Sequence, residues 1–264
     1  MAIMYFAGVD LGSLTAKAVI ITNGEIVCHR VIQSGYNSTE NAHRVMNACL
    51  EETTLTLDDL EYIISTGYGR VNVPFAHKQV TEITCHAKGA NYLFPQARTV
   101  IDIGGQDSKA MSIDGTGRVK DFVMNEKCAA GTGRFLEVMA HALEVDLDSF
   151  GSLSLTSEHP AKISSMCTVF AESEVISQIA QGLPKQDIIA GIHDAITSRV
   201  ASMARRVPIA DDVVLTGGVS KNVGVVRALS KNLGYDIHIS ELSQIAGALG
   251  AALLAREAGE KAAD

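Results

Sequence analysis

The chain lacks any apolar run approaching the ~20 residues that a membrane-spanning helix needs. Its first residues, MAIMYFAGVD, carry no basic segment and meet Asp10 after a short apolar stretch, so no secretory signal is expected. Positive charge is also short. Its 22 Lys and Arg stand against 30 Asp and Glu, a formal charge of -8, which argues against a nonspecific surface for nucleic acid or anionic membrane. A small anion must then be held by local geometry. The five cysteines, Cys28, Cys49, Cys85, Cys128 and Cys167, are odd in number and scattered; this excludes a disulfide framework and points to a reducing, cytoplasmic compartment. The 8 histidines show no metal-ligand spacing. No low-complexity linker interrupts the chain. With 264 residues, 47% of them hydrophobic, it can bury one large core or two modest ones, and its length favours two.

What is present is a repeat. DLGSLTAKA at 10–18 returns as DIGGQDSKA at 102–110, with aspartate, glycine, lysine and alanine at the same offsets. Both copies share one layout: YFAGVD, AKAVIIT and EIVCHRVI predict three strands, the last two joined by a tight turn at Asn23-Gly24. TVIDIGG, KAMSID and RVKDFVMN predict the matching three, with the turn at 115–117. Two related halves follow.

Elsewhere, Asn37 to Glu40 predicts a helix start, with Ala42, Val45, Met46, Cys49 and Leu50 at helical spacing; a strand YIIST and a loop GYGR come next. Phe135, Leu136, Met139 and Leu143 mark one helix, and Ile189, Ile192, Ile196, Val200 and Met203 a longer one. DDVVLTGG predicts a strand entering a Gly-Gly turn, and KNVGVVRALSKNL, a strand YDIHIS and a helix IAGALGAALLAR close the chain. The alternation predicts an α/β fold of mixed sheets covered by helices.

A strand that ends in aspartate and turns through glycine sets a carboxylate beside open backbone N–H groups, which suits a phosphate with its magnesium ion. Asp10 and Asp102 are therefore candidates for magnesium and its water shell. Gly12, Gly104 and Gly105 permit close approach, and Ser13 and Thr15 offer hydroxyls. Lys17 adds charge if it points inward, although Lys17 and Lys109 read equally well as surface lysines. LTGGVSKN at 215–222, with Gly217, Gly218 and Asn222, has the strand, Gly-Gly and helix-start pattern of a backbone packed against a nucleotide. One aspartate loop alone reads as a turn; two in matching context, followed by this element, point to a nucleotide clamped by both.

DLGSLTAK, DIGGQD and LTGG resemble the two phosphate motifs and the adenosine motif of the actin, Hsp70 and sugar kinase superfamily. The resemblance implies two related domains, each a mixed sheet flanked by helices, with ATP or ADP in the cleft between them. The expected division is 1–96 plus 247–264 for the first domain and 97–246 for the second, which carries Cys128 and Cys167.

NEKCAAGTGRF surrounds Cys128 and SSMCTVFAESEVIS surrounds Cys167, and each cysteine leads directly into a segment with helical periodicity. A helix N-terminus there would stabilise a thiolate or an anionic cluster. Cys28, Cys49 and Cys85 read as small buried hydrophobes, and Glu172 and Glu174 as a solvated helix face. Two thiols per chain cannot complete a four-cysteine cluster, but two chains on a twofold axis can.

From Asp10 to the closing helix, VIDIGGQDSK, NEKCAAGTGRFLEVMA, SSMCTVFAESEVISQ, AGIHDAITSRV and LTGGVSKN with GALGAAL are similar to the ATP-dependent activators (component A) of 2-hydroxyacyl-CoA dehydratases. ATPase subunits of benzoyl-CoA reductases and reductases of double-cubane proteins belong to the same group. The resemblance implies that Cys128 and Cys167 of each subunit hold one [4Fe-4S] cluster in a homodimer. An electron then arrives from ferredoxin or flavodoxin, and ATP hydrolysis drives it into an iron-sulfur partner. That partner is a dehydratase, a benzoyl-CoA reductase or a double-cubane protein. The stretch Gly131, Thr132, Gly133 and Arg134 is the expected link between nucleotide and cluster. Gln106 is the candidate for orienting the attacking water, with Asp107 behind it; ordinary loop hydrogen bonding is the competing reading. Two other functions stay open: a small-molecule kinase of the same superfamily, for which no substrate-binding insertion is evident, and a cluster-based redox switch.

Overall fold

The computed structural model describes residues 3–164 and 167–263; Ser165 and Met166, within SSMCTVF, lie outside the described residues. Strands β1 (Tyr5–Leu11), β2 (Thr15–Thr22) and β3 (Glu25–Gln33) precede helix α1 (Ser38–Leu50), β4 (Leu60–Thr66), β5 (Lys78–Gln79) and α2 (Glu82–Leu93). Next come β6 (Thr99–Ile103), β7 (Ser108–Ile113), β8 (Val119–Asn125), α3 (Gly133–Leu143), α4 (Leu147–Ser154), α5 (Thr168–Ala180) and α6 (Lys185–Ala204). The chain closes with β9 (Val213–Thr216), α7 (Val223–Leu233), β10 (Ile237–His238) and α8 (Ala246–Ala263). It divides into two compact units, one of Met1–Ala97, Ile113–Lys120 and Leu242–Asp264, the other of Arg98–Ser112 and Asp121–Glu241. No helix among the described residues is long and apolar enough to cross a membrane.

The repeat written in the sequence is a repeat of topology. One sheet has the order β3-β2-β1-β4-β5 and the other β10-β9-β6-β7-β8, which is the same arrangement read from the opposite edge. In each, the strand ending in aspartate pairs antiparallel with the next strand and parallel with one that arrives later. The turns follow local chemistry. Asn23 and Gly24 both take positive φ, 51° and 87°, as a two-residue hairpin matching the strand twist requires. In the second hairpin the Asp114 carboxylate accepts from the Thr116 N–H, the Thr116 hydroxyl and the Arg118 N–H, which holds its carboxyl at about 2. Asn37 caps α1 by accepting from the N–H groups of Thr39 and Glu40, so that helix start falls where its sequence placed it.

In the first unit α8 lies against α2, β1 and β4 on a seam of small residues. A Cβ on Gly8 would overlap the Ala248 carbonyl, one on Gly89 the Ala246 carbonyl, and one on Gly250 the Cys85 carbonyl. This seam explains why α2 is absent from the periodicity: its buried face is Cys85, His86, Ala87, Gly89 and Ala90, small or polar residues that leave little apolar stripe. Cys28, Cys49 and Cys85 are buried and free, and burial pushes the Cys85 thiol up to about 12. The strand expected at YDIHIS shrinks to Ile237–His238, because β10 is an edge strand whose neighbour β9 offers it only Val213 and Val214. The second unit's core packs Phe135, Leu136 and Met139 of α3 and Ile189, Ile192 and Ile196 of α6 onto Ile101, Ile103 and Leu215 of the sheet.

Gly250→Ala is expected to destabilise the first unit by about 2 kcal/mol or more, because the added methyl meets backbone that cannot rotate away. Urea denaturation followed by circular dichroism checks this; an unchanged midpoint would show that the α2–α8 seam tolerates separation.

Candidate functional site

Antiparallel pairing decides which side chains meet the strand-end carboxylates. In β1 and β2 the register sets Asp10 opposite Lys17, and in β6 and β7 it sets Asp102 opposite Lys109. Lys17 points inward, its Nζ 3.3 Å from an Asp10 oxygen, with the side chains 12% and 5% exposed. Lys109 is deeper. It is 2% exposed and its Nζ lies 3.1 Å from Asp102 and 2.8 Å from Asp107, so one ammonium serves two buried carboxylates. Neither lysine is the surface residue that a position beside a strand allows.

Parallel pairing adds a second shared feature. Asp10 sits level with Thr66 of β4, and Asp102 with Thr216 of β9. A glycine with positive φ follows each threonine: Gly67 at 84° and Gly217 at 85°. A Cβ on Gly67 would strike an Asp10 oxygen, and one on Gly217 would come within 2.8 Å of an Asp102 oxygen. Thr216 also donates its hydroxyl to Asp102 Oδ1 at 3.0 Å. The ISTG of the first half is therefore the counterpart of the VLTG of the second, a correspondence carried by two letters and easily missed without the sheet. In the first unit a Cβ on Gly247 of α8 would meet Asp10 at 2.9 Å and His86 at 2.8 Å, so glycines leave the carboxylate open on two sides.

The other expected phosphate residues distribute by unit. Gly12, Ser13 and Thr15 form the β1–β2 turn with Asp10 and Lys17, where the Gly12 N–H donates to the Thr15 carbonyl at 3.1 Å and Ser13 is exposed. Gly104, Gly105 and Gln106 form the β6–β7 turn with Asp102, and Gln106 is exposed on it. Gly217 and Gly218 follow β9 in the same unit, leading into a 3-10 turn at Gly218–Lys221. Asn222 is committed to structure: its Oδ1 accepts from the Val225 N–H to cap α7, and its Nδ2 lies 3.3 Å from His193 Nε2 on α6. With the amide oxygen used by the helix, the amide nitrogen faces His193, so Nε2 accepts and Nδ1 carries the proton.

Around the cysteines the structure corrects two expectations. Cys128 does not open a helix; residues 129–132 form a loop and α3 begins at Gly133. The first N–H groups of α3 are already occupied, Gly133 donating to the Gly104 carbonyl and Arg134 to the Gly105 carbonyl, both at 2.8 Å. The Cys128 loop is tied instead by Asn125, whose Nδ2 donates to the carbonyls of Cys128 and Ala130, and by Thr132, which is fully buried and donates its hydroxyl to the Ala129 carbonyl. Gly131 in this loop has φ 95°. Cys167 does sit at a helix start, as the N-cap of α5, and is exposed. The second correction is Glu174: its carboxylate accepts from the Ser164 N–H at 3.0 Å and hydroxyl at 3.1 Å, so it fastens the segment ahead of Cys167 and is not a free solvated face.

Lys109→Met would leave Asp102 and Asp107 facing each other without their cation, and is expected to cost about 3–5 kcal/mol. Lys17→Met, at a more exposed single pair, is expected to cost clearly less; equal losses in chemical denaturation would refute the difference in burial. Burial pushes the His193 imidazole down to about 4. The unfolded chain therefore binds the extra proton between about pH 6.5 and pH 4, and stability falls as pH drops through that window. Wild type should lose about 2 kcal/mol between pH 7 and pH 4.5 through this group, and His193→Gln should flatten that part of the profile.

Several known proteins are similar to this chain. An activator of lactoyl-CoA dehydratase from Anaerotignum propionicum is 50% identical over 259 residues, covering 98% of this chain and 100% of the relative. A solved activator of the 2-hydroxyisocaproyl-CoA dehydratase from Clostridium difficile, with bound ADPNP, superposes with a TM-score of 0.95 at 45% identity, covering 98% of this chain and 97% of that one. A ROK family glucokinase from Streptomyces griseus, 15% identical with a TM-score of 0.59 over 97% of this chain and 100% of its own, shares the fold alone, that of actin, Hsp70 and the sugar kinases. Residues 7–255 match the BadF/BadG/BcrA/BcrD ATPase family, and the chain belongs to that family.

Proposed function

We propose that the chain is an ATP-hydrolysing one-electron activator. In this reading it takes an electron from ferredoxin or flavodoxin and delivers it at low potential to an iron-sulfur 2-hydroxyacyl-CoA dehydratase, the partner class named for its relatives. The observation that carries the reading is the pair of 2.8 Å hydrogen bonds from the first turn of α3 to Gly104 and Gly105. They join the turn after Asp102 to the loop that carries Cys128.

Asp10 and Asp102 would each offer a carboxylate to magnesium, directly or through water, and the glycines beside them leave carboxylate oxygens uncovered by side chains. Lys17 and Lys109 hold these carboxylates in place through their ion pairs. Gln106, exposed on the same turn, orients the attacking water. When γ-phosphate contacts shift the Gly104–Gly105 backbone, α3 and the Cys128 loop follow, because Gly133 and Arg134 are bonded to that backbone.

The cysteines fit a [4Fe-4S] cluster shared by two copies. One chain brings two thiols to the second unit, and among its described residues no group of three or more His, Cys, Asp or Glu could hold a metal alone. Helix α5, which Cys167 caps, exposes Val169, Phe170, Ile176 and Ile179, with Phe170 68% exposed, an apolar face that a second copy would cover. Bound there, the cluster supplies a one-electron store. Each further 59 mV of reducing power corresponds to about 1.4 kcal/mol for one electron, so one ATP covers a gap of a few hundred millivolts. The free thiols suit the reducing cytoplasm.

Protein purified without air should be brown and dimeric, with about four iron atoms per two chains. Iron should be lost from Cys128→Ser and Cys167→Ser, and Gln106→Ala should lower steady-state ATPase activity by about 100-fold. Colourless monomer, or iron retained when both thiols are replaced, would overturn the proposal.

A further inference from the structure

The second unit contains a cavity of 740 Å³ to which neither phosphate turn contributes its glycines. Its wall is α6 from Gly191 onward together with Arg206 just past its end, closed by the end of β8, the Ala130–Gly131 part of the cysteine loop, and the segment 160–164. Three cations line it, Lys162, Arg199 and Arg206, against a single carboxylate, Asp194. Among the described residues none of these four side chains has a hydrogen bond or ion pair. An excess of two positive charges gathered in one concave site is notable in a chain of net charge -8.

Arg199 is the informative residue. It is half-buried, and its stem runs past Gly131, where a Cβ would lie 3.4 Å from Arg199 Cδ. The positive φ of Gly131 and its missing side chain thus leave a channel for the arginine. Its guanidinium lines the cavity with no acceptor among the described residues, and so is available to an anionic ligand. Its planar fork matches a carboxylate or phosphate. Beside the cations stand Met124, Phe135, Ile163 and Met203, an apolar wall suited to a short carbon body.

We propose that this cavity is a binding site for a small oxyanion, a carboxylate or phosphate carried on a compact organic body, gripped by Arg199 with Lys162 and Arg206 at its side. The site is separate from the nucleotide turns, yet it touches both ends of the coupling route. Ser108 at its floor follows Asp107 in sequence, and Ala130 and Gly131 belong to the Cys128 loop. An occupant would steady that loop and so act as an effector of the activator. The inference goes beyond the proposed function and does not require it, because anion binding is measured independently of electron transfer.

The test is calorimetric titration of the anaerobically purified full chain, saturated with Mg-ADP so that the phosphate turns are filled, with inorganic phosphate in one series and malonate in the other. Saturable binding of at least one probe in the millimolar range or tighter is expected; phosphate alone would mark a phosphate source, malonate alone a carboxylate source. Arg199→Gln should weaken it by about tenfold or more. Lys162→Gln, an exposed change that leaves folding alone, should weaken it by a smaller factor. ADP affinity should not change in either variant. No saturable binding of either probe, or unchanged binding in both variants, would overturn the proposal, and retained ADP binding would separate that failure from any failure of the nucleotide reading.

Discussion

A carboxylate buried at the end of a strand is costly without a cation to face it, and here each of two antiparallel hairpins supplies one. Residues directly opposite one another in an antiparallel pair project to the same side of the sheet. The seven-residue spacing from Asp10 to Lys17, and from Asp102 to Lys109, brings each pair into register across a short turn. The lysine is thereby placed by the geometry of the ladder itself, without help from a distant element. The halves then diverge in depth. The first keeps its pair partly open, whereas the second buries Lys109 between two carboxylates and adds a threonine hydroxyl to Asp102.

That divergence follows the division into units. The deeper, more heavily tied site belongs to the unit that also holds Cys128 and Cys167. There the turn after Asp102 is bonded to the start of α3. Helix N-termini usually leave their first N–H groups for an anion or a cap; α3 has given its own to another loop's backbone. The Cys128 backbone is held instead by Asn125, and Cys167 stands at the N-cap of a different helix, α5.

Helix α6 links the remaining parts of the second unit. Its residue His193 meets the Asn222 cap of α7, and one turn and a half later Arg199 passes beneath the Cys128 loop. The family membership gives these contacts their setting, since relatives of nearly the same length are named as activators of dehydratases. Within the second unit, the buried apolar face of α6 packs into the same core as Ile103 at the end of β6 and Ala130 of the cysteine loop.

The sequence by itself determined the six strands of the two hairpin arrangements, the helix start at Asn37, the twin aspartates and the two cysteines that are not core, because each rests on neighbours within about ten positions. Local chemistry such as an Asn-Gly turn or an aspartate before glycine acts over that range. Tertiary structure alone decided whether Lys17 and Lys109 point inward, that Thr66-Gly67 mirrors Thr216-Gly217, that Cys128 precedes a loop, that Glu174 fastens Ser164, and that Asn222 lies against His193 while it caps α7. It also revealed α2, whose small buried residues acquire meaning only once α8 lies against them. These outcomes depend on partners tens of residues away, and the free energy of such contacts is set by burial and register that no local pattern encodes.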